Sequence, residues 1–418
     1  MSVVSSPAPV AVAGSVLPKT AAQVSRVVSV DVLRGLVMVI MALDHTRDFF
    51  TNLSFPPEVL ALTSGPLFFT RFITHYCAPV FFLLAGTGAF LSLARGKSLG
   101  QVSHFLWTRG LWLVFLELTI IDFGWTFVFP FGIGSVIWAL GWCMVAMALI
   151  VRLPVRWIAG LALAVIALHN LFDRVNPASL GRLSGLWMVL HSPGSFFIAP
   201  KVAFFILYPL VPWVGVMAAG YALGALFLRT DRKKVLLLLG AALTLAFFVL
   251  RTINHYGNGV AGLQFGVPLG AGPWSVQPGL TLTLISFFNT LKYPPSLDYL
   301  LMTLGPALML LAWFENWKTE SWPARVLLAY GRVPLFFYVL HIYLLHVMAI
   351  AAAWIYRQPA AWLWHGVFFL SQKPEAYGHD LPFVDLMWIL AVGILYLPCR
   401  WFMKFKQQHR DWGWLSYL

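Results

Sequence analysis

Charge is scarce in this sequence. Lys, Arg, Asp and Glu make up 10% of its 418 residues, while 60% are hydrophobic. That balance excludes an ordinary soluble globular domain. Cysteine is scarcer still, with only Cys77, Cys143 and Cys399, each within or beside an apolar run. They supply neither a disulfide framework nor a zinc spacing, so no metal is expected. Acidic residues number 15 against 28 basic ones, a formal charge of +13. In a soluble domain that excess would suggest nucleic acid. Here the bases cluster in short loops between apolar runs, which is a membrane-topology signal, and no nucleic-acid partner is expected. The first 25 residues, rich in Pro, Ala, Ser and Val, lack a basic region ahead of an apolar stretch. They read as a disordered tail and not as a signal peptide. No convincing internal repeat is present, which removes one common sign of a transporter.

What the chain does have is a succession of apolar runs long enough to cross roughly 30 Å of hydrocarbon. Ten spans are expected, near 31–50, 66–93, 107–128, 133–151, 156–172, 202–228, 234–252, 296–314, 333–356 and 383–403. Apolar pieces near 280–290 and 361–370 are too short to span and read as re-entrant or interfacial. With the amino terminus inside, 19 of the 28 Lys and Arg residues fall on the inner side and 9 on the outer, although the outer loops are longer. The expected fold class is therefore an all-α polytopic membrane protein with about 10 transmembrane helices and both termini cytoplasmic. Its divisions would be a disordered cytoplasmic tail (1–26), a transmembrane domain (27–403) and a short cytoplasmic tail (404–418). The lipid bilayer is its first partner, and a homo-oligomer is left open.

The stretch "DVLRGLVMVIMALDHTRDFF", residues 31 to 50, is an apolar span with charge at both ends. His45 follows Asp31 by 14 residues, about 21 Å along a helix, and returns to within roughly 40° of it. Asp31, Arg34, Met38 and His45 thus share one face, with Asp44 beside His45 and Asp48 three residues beyond. The bland reading has Arg34 snorkelling and Asp44, Arg47 and Asp48 in the headgroups. For Arg47 that reading is preferred. For His45, flanked by carboxylates on an internal face, a site is preferred, because ionisable groups within spans are costly.

Other polar groups fall near the same depth. His75, Asp122 and His346 should lie in one slab with His45, and Glu117 near mid-membrane. His341 and His346 are about 140° apart on their helix and do not make a metal pair. Each histidine alone is as well explained by an interhelical hydrogen bond, but four such groups at one depth favour a polar cavity. Lys292, before the double proline of "LKYPPS", would face a polar acceptor, although helix initiation is the commoner meaning of such prolines. The small residues of "LLAGTGAFLSL" (Ala85, Gly86, Gly88, Ala89) read as close helix packing.

These motifs carry a resemblance. "DVLRGLVMVIMALDH" resembles the first helix of membrane acyltransferases that acylate surface glycans. Over about residues 27 to 403 the chain is more similar to bacterial relatives of heparan-α-glucosaminide N-acetyltransferase, through "DVLRG…ALDHTRDFF", "THYCAPVFFLLAGTGAFL", "LKYPPSLDYLLMTLGPAL" and "YGRVPLFFYVLHIYLLH". The resemblance implies a ten- or eleven-helix enzyme that moves an acyl group from cytosolic acyl-coenzyme A to an acceptor across the membrane. It implies the role of base or acyl carrier for His45 and of coenzyme contact for Arg34, and a bacterial inner membrane as the location. The histidine thought to be catalytic in the lysosomal enzyme lies in the loop after this helix. Here Phe50 to Phe68 contains none, so the role passes to His45 or His75 and a heparan acceptor is not implied.

The residues fit that implication. Arg34, Arg332, Arg95 and Lys97 are available for the phosphates of acetyl-coenzyme A, the expected acyl donor. His45 would act as general base toward a glycan hydroxyl or amine, oriented by Asp44 or Asp48, with His75 as a further catalytic candidate. Asp122, Lys292 and His346 would bind the acceptor. An acyl-histidine intermediate stays open beside direct transfer. The rival class is a proton-coupled transporter or flippase using the His/Asp slab as a relay. A structural or sensory membrane protein would leave the Asp31–Arg34–His45 face unexplained.

Overall fold

A computed structural model describes residues 26–129, 132–199, 202–260, 263–264, 267–268, 271–364 and 373–418. In chain order the helices are α1 (Val28–Phe50), α2 (Gly65–Thr74), α3 (Cys77–Ala94), α4 (Leu99–Leu116), α5 (Asp122–Thr126), α6 (Val136–Ile150), α7 (Val155–Leu168) and α8 (Ser184–Leu190). They continue as α9 (Leu210–Gly224), α10 (Arg232–Ile253), α11 (Leu280–Phe288), α12 (Leu297–Phe314), α13 (Trp322–Gly331), α14 (Pro334–Ile355) and α15 (Leu381–Gln408). Eight helical runs among the described residues are long and apolar enough to cross a membrane. The other two expected spans correspond to helices outside that set: α1, 23 residues with charge at both ends, and α6, 15 residues and apolar. The protein is all-α and polytopic, with α1 packed among α12, α13, α14 and α15.

Two spans are interrupted for identifiable reasons. Between α2 and α3, Pro79 has no N–H to give to the carbonyl of His75, four residues earlier. The hydroxyl of Tyr299 in α12 donates to that carbonyl instead, at 2.7 Å. Between α4 and α5, Glu117–Ile121 winds as a wider π-turn within one continuous run from Leu99 to Thr126. Such turns are common beside functional sites. This one accompanies the burial of Glu117, which accepts a hydrogen bond from Ser135 Oγ.

The expected boundaries need three corrections. The span placed at 202–228 starts as a helix only at Leu210, after Pro209. Its first residues form β3 (Val202–Ile206), antiparallel to β2 (Gly194–Ala199) with Phe196 opposite Phe204. β3 also pairs in parallel with the short β1 (Ile133–Gly134). A short apolar run cannot be assigned to helix or strand by hydropathy alone. The third span begins at Leu99, where Ser98 and Gln101 form a capping box. α13 is an additional helix between spans. The piece near 280–290 is the nine-residue α11, too short to span. Of the piece near 361–370, Ala361–Trp364 is a short 3-10 turn, and the remainder lies outside the described residues.

Four helix pairs cross at facing glycines. A Cβ on Gly35 of α1 would lie 1.9 Å from the carbonyl oxygen of Leu327 in α13, and one on Gly331 would lie 1.9 Å from that of Asp31. Gly86 of α3 and Gly220 of α9 make the same reciprocal approach, to Met217 and Leu83. Gly110 with Gly141 joins α4 to α6, and Gly240 with Gly305 joins α10 to α12. Without a hydrophobic driving force between helices in lipid, close backbone approach supplies the packing. The expected packing role of "AGTGA" holds at Gly86, whereas Gly88 has nothing within 4 Å of its absent Cβ.

Gly35→Ala should therefore separate α1 from α13 and cost about 1–3 kcal/mol, as overpacking typically does. Gly160→Ala, inside α7 where a Cβ meets nothing within 4 Å, should keep the melting temperature or raise it slightly. Thermal unfolding of the two variants in detergent, followed by tryptophan fluorescence, checks both.

Candidate active site

The two ends of α1 open into two different cavities. At the amino-terminal end the buried carboxylate of Asp31 gathers three arginines. It accepts from Arg26 and from Arg34 Nη1 at 3.2 Å, and Arg332 Nε lies 3.8 Å away. Arg34 also donates to the carbonyl of Gly331 at 3.3 Å, which ties the α1–α13 crossing to this cluster. Around it lies a vestibule of about 1300 Å³, walled by α3, α4, α6, α14 and α15. All four residues expected to contact a coenzyme, Arg34, Arg332, Arg95 and Lys97, line it. So do Arg26, Arg109, Lys406 and Arg410, whose place there the sequence did not reveal. Asp31 is the only acidic side chain in that lining. The vestibule is therefore a concave, strongly cationic surface suited to a polyanion.

At the other end, the last turns of α1 form one wall of a chamber of about 160 Å³. His45 Nδ1 lies 2.7 Å from His341 Nε2 of α14, with the two rings stacked. His341 Nδ1 in turn lies 3.2 Å from the carbonyl oxygen of Phe337. A carbonyl only accepts, so in the neutral ring the hydrogen sits on His341 Nδ1 and leaves Nε2 as an acceptor. His45 must then donate from Nδ1, and its Nε2 carries the free lone pair. No described residue bonds to that nitrogen. Trp125 stands edge-on to the His45 ring at 4.8 Å, a second constraint on its orientation.

The carboxylate expected to orient His45 has other partners. Asp44 accepts from Arg47 and Arg71 and from Thr74 Oγ1 at 3.1 Å, and is fully engaged by them. Arg47 was assigned to the headgroups, yet it is buried and lines the chamber. Arg71 continues the ladder to Glu58 at 2.6 Å. Burial alone would raise the Glu58 carboxyl; Arg71 and the nearby His75 outweigh it and hold the group well below the usual carboxylate range. Asp48 lines the chamber, and no hydrogen bond reaches it from the described residues. Opposite stand Lys292, Tyr293 and Tyr208. Lys292 is held by the turn before α12, where Arg251 binds the carbonyls of Ser286, Phe287 and Asn289. Its ammonium has no hydrogen-bond acceptor among the described residues.

Three expected residues are not in the chamber lining. His75 is fully buried behind the ladder, 3.7 Å from Glu58. Asp122 accepts from the backbone of Ile133 at 3.2 Å and anchors β1. His346 donates to the carbonyl of Gly124 at 2.8 Å and stacks on Phe127 at 3.8 Å, bracing α5 against α14. Depth along a helix does not fix which way a side chain points, and these three are directed to other contacts. His341 was passed over, although a signal existed. It lies about 14 Å beyond Arg332 by helix rise, close to the roughly 17 Å from Arg34 to His45. No cluster of metal-ligating side chains occurs among the described residues.

Lys373, from the loop before α15, braces the chain just after α1 by donating to the carbonyls of Thr51, at 2.8 Å, and Leu53. Burial pushes its ammonium down to about 7, with Asp48 opposing. An unfolded lysine keeps its proton to about 10.4. Between pH 7 and 10 the unfolded chain thus binds more protons, so this group makes stability rise with pH across that window. Melting curves of wild type and Lys373→Met from pH 7 to 10 should show the steeper rise in the wild type, and equal slopes would contradict this account.

A tautomer-fixed histidine pair beside a cationic vestibule suits group transfer from a polyanionic donor. No curated protein matches the chain. The family described as heparan-alpha-glucosaminide N-acetyltransferase, catalytic, matches residues 26–256, which include Arg34, His45 and Arg71 but not Lys292 or His341. With more than half its length matched, the chain belongs to the heparan-α-glucosaminide N-acetyltransferase catalytic family and is an integral membrane enzyme of the acetyltransferase type.

Proposed function

We propose that this protein transfers an acetyl group from acetyl-coenzyme A to a glycan hydroxyl or amine on the opposite side of the membrane. The observation that carries the reading is that one helix, α1, borders a cationic vestibule at one end and the His45 chamber at the other. In this reading the vestibule and both termini face the cytoplasm of a bacterium, and the protein lies in its inner membrane. Residues 1–26 and 404–418 would be cytoplasmic tails flanking the transmembrane domain. The excess of basic residues on that side supports the orientation.

Arg34, Arg95, Lys97 and Arg332 would bind the phosphates of the donor, and its long arm would run along α1 toward His45, about 17 Å away by helix rise. His45 Nε2 takes the proton from the acceptor as the acceptor oxygen or nitrogen attacks the thioester carbonyl carbon. Negative charge then gathers on the carbonyl oxygen, where Lys292 is available to stabilise it. Collapse breaks the carbon–sulfur bond, and the departing thiolate takes the proton back from His45. Through this cycle His45 Nδ1–H remains bonded to His341, which orients the imidazole and spreads its positive charge. Asp48 and the tyrosines Tyr208 and Tyr293 would hold the acceptor. Membership of an acetyltransferase family, with a histidine pair that has a fixed donor order, favours this over a proton-coupled transporter.

The test is release of free coenzyme A from acetyl-coenzyme A by purified protein in lipid, with a mixture of cell-envelope glycans as acceptors. Acceptor-dependent release is expected, and His45→Ala should lower kcat by about 10²–10⁴-fold, the usual range for a lost general base. Arg34→Ala should instead raise the KM for acetyl-coenzyme A with kcat little changed. Failure of the wild type to bind or turn over acetyl-coenzyme A would overturn the reading.

A further inference from the structure

The two cavities share three lining residues: Phe81, Val136 and Tyr338. They come from α3, α6 and α14, so the place where vestibule and chamber meet is fixed by three separate spans. Val136 and Tyr338 are buried, and Phe81 is half-buried. The Tyr338 ring stands edge-on to both histidines, 6.0 Å from His45 and 5.2 Å from His341. The junction therefore lies beside the imidazole pair.

We infer that Phe81, Val136 and Tyr338 form a neck that selects the acyl group by length, admitting short acyl thioesters and rejecting longer ones. This rests on the transfer reading above. The vestibule, at about 1300 Å³, has room for a nucleotide and its phosphates, whereas the chamber, at about 160 Å³, does not. For His45 to assist attack, the thioester carbonyl must stand at the neck, with the acyl tail pointing into the chamber. That tail then competes with the acceptor for a small space. An acetyl group projects a single methyl into it, and each further methylene displaces the acceptor or strains the aromatic walls. A misfit of one methylene in such a pocket is worth about 10-fold or more in kcat/KM. The bonds made and broken are those of the acetyl reaction, so the neck adds selectivity without adding a step.

The experiment compares kcat/KM for acetyl-, butyryl- and hexanoyl-coenzyme A, with binding of free coenzyme A measured on the same samples. The wild type should prefer acetyl over butyryl by at least about 10-fold. Phe81→Ala and Val136→Ala widen the neck and should each shrink that preference by about 10-fold. Val136→Phe narrows it and should suppress transfer of every acyl group while binding of free coenzyme A persists, which separates a blocked neck from a misfolded protein. A wild type that uses butyryl as well as acetyl, or a preference that stays put in widened variants that still bind coenzyme A, overturns the neck alone. Absence of any acyl-coenzyme A turnover by the wild type overturns the transfer reading and the neck with it.

Discussion

The backbone contact of α1 with α13 is the constraint on which the rest of the molecule depends. Gly35 and Gly331 let two main chains approach until a single methyl group would collide with a carbonyl oxygen. That contact sets the depth and rotation of α1. Depth fixes where Asp31 meets Arg26, Arg34 and Arg332, and rotation fixes where His45 meets His341. The Leu-Arg-Gly of the opening motif thus combines two jobs in adjacent residues. Arg34 faces the vestibule, and Gly35 seats the helix that presents it.

A chain with so little charge spends it in few places. Between them the Asp31 cluster and the ladder of Arg47, Asp44, Arg71 and Glu58 hold many of the ionic groups associated with the spans. Asp31 and Asp44 are each met by more than one cation or hydroxyl, and Glu58 is met by Arg71. Removing one member of such a set would strand its partner in low dielectric, which is the costly case for buried ion pairs. The ladder consequently acts as a rigid wall of the chamber. The chamber groups without a hydrogen-bond partner among the described residues, His45 Nε2, Asp48 and the Lys292 ammonium, are the ones with chemistry still to offer.

The sequence made much of this legible. Hydropathy located the eight long apolar helices because lipid admits few alternatives to a helix, and the remaining two expected spans are helices as well. It misassigned residues 202–206, where the same apolar composition serves a strand. The fourteen-residue step from Asp31 to His45 marked two residues of α1 that line its two cavities, and the four coenzyme candidates share one of them. What hydropathy and depth lack is azimuth. His75, Asp122 and His346, expected at the depth of His45, do not line the chamber. His341, on the same helix as His346, turned the right way and was missed. Partner choice was equally hidden, since Asp44 is next to His45 in sequence but is claimed by Arg47 and by Arg71 from another helix.

The neck between vestibule and chamber has an electrical consequence. A site reached from both faces of a bilayer is, without a barrier, a leak for protons and ions. Phe81 and Val136 offer no hydrogen bond to a water file, and narrow apolar constrictions of this kind shed water. The ring of Tyr338 packs beside them against the histidine pair. In the proposed transfer the same three side chains would insulate the membrane potential, worth about 2.3 kcal/mol per charge at 100 mV. The acyl group of that transfer carries no net charge, so it would cross this septum while the phosphates of the donor stayed behind.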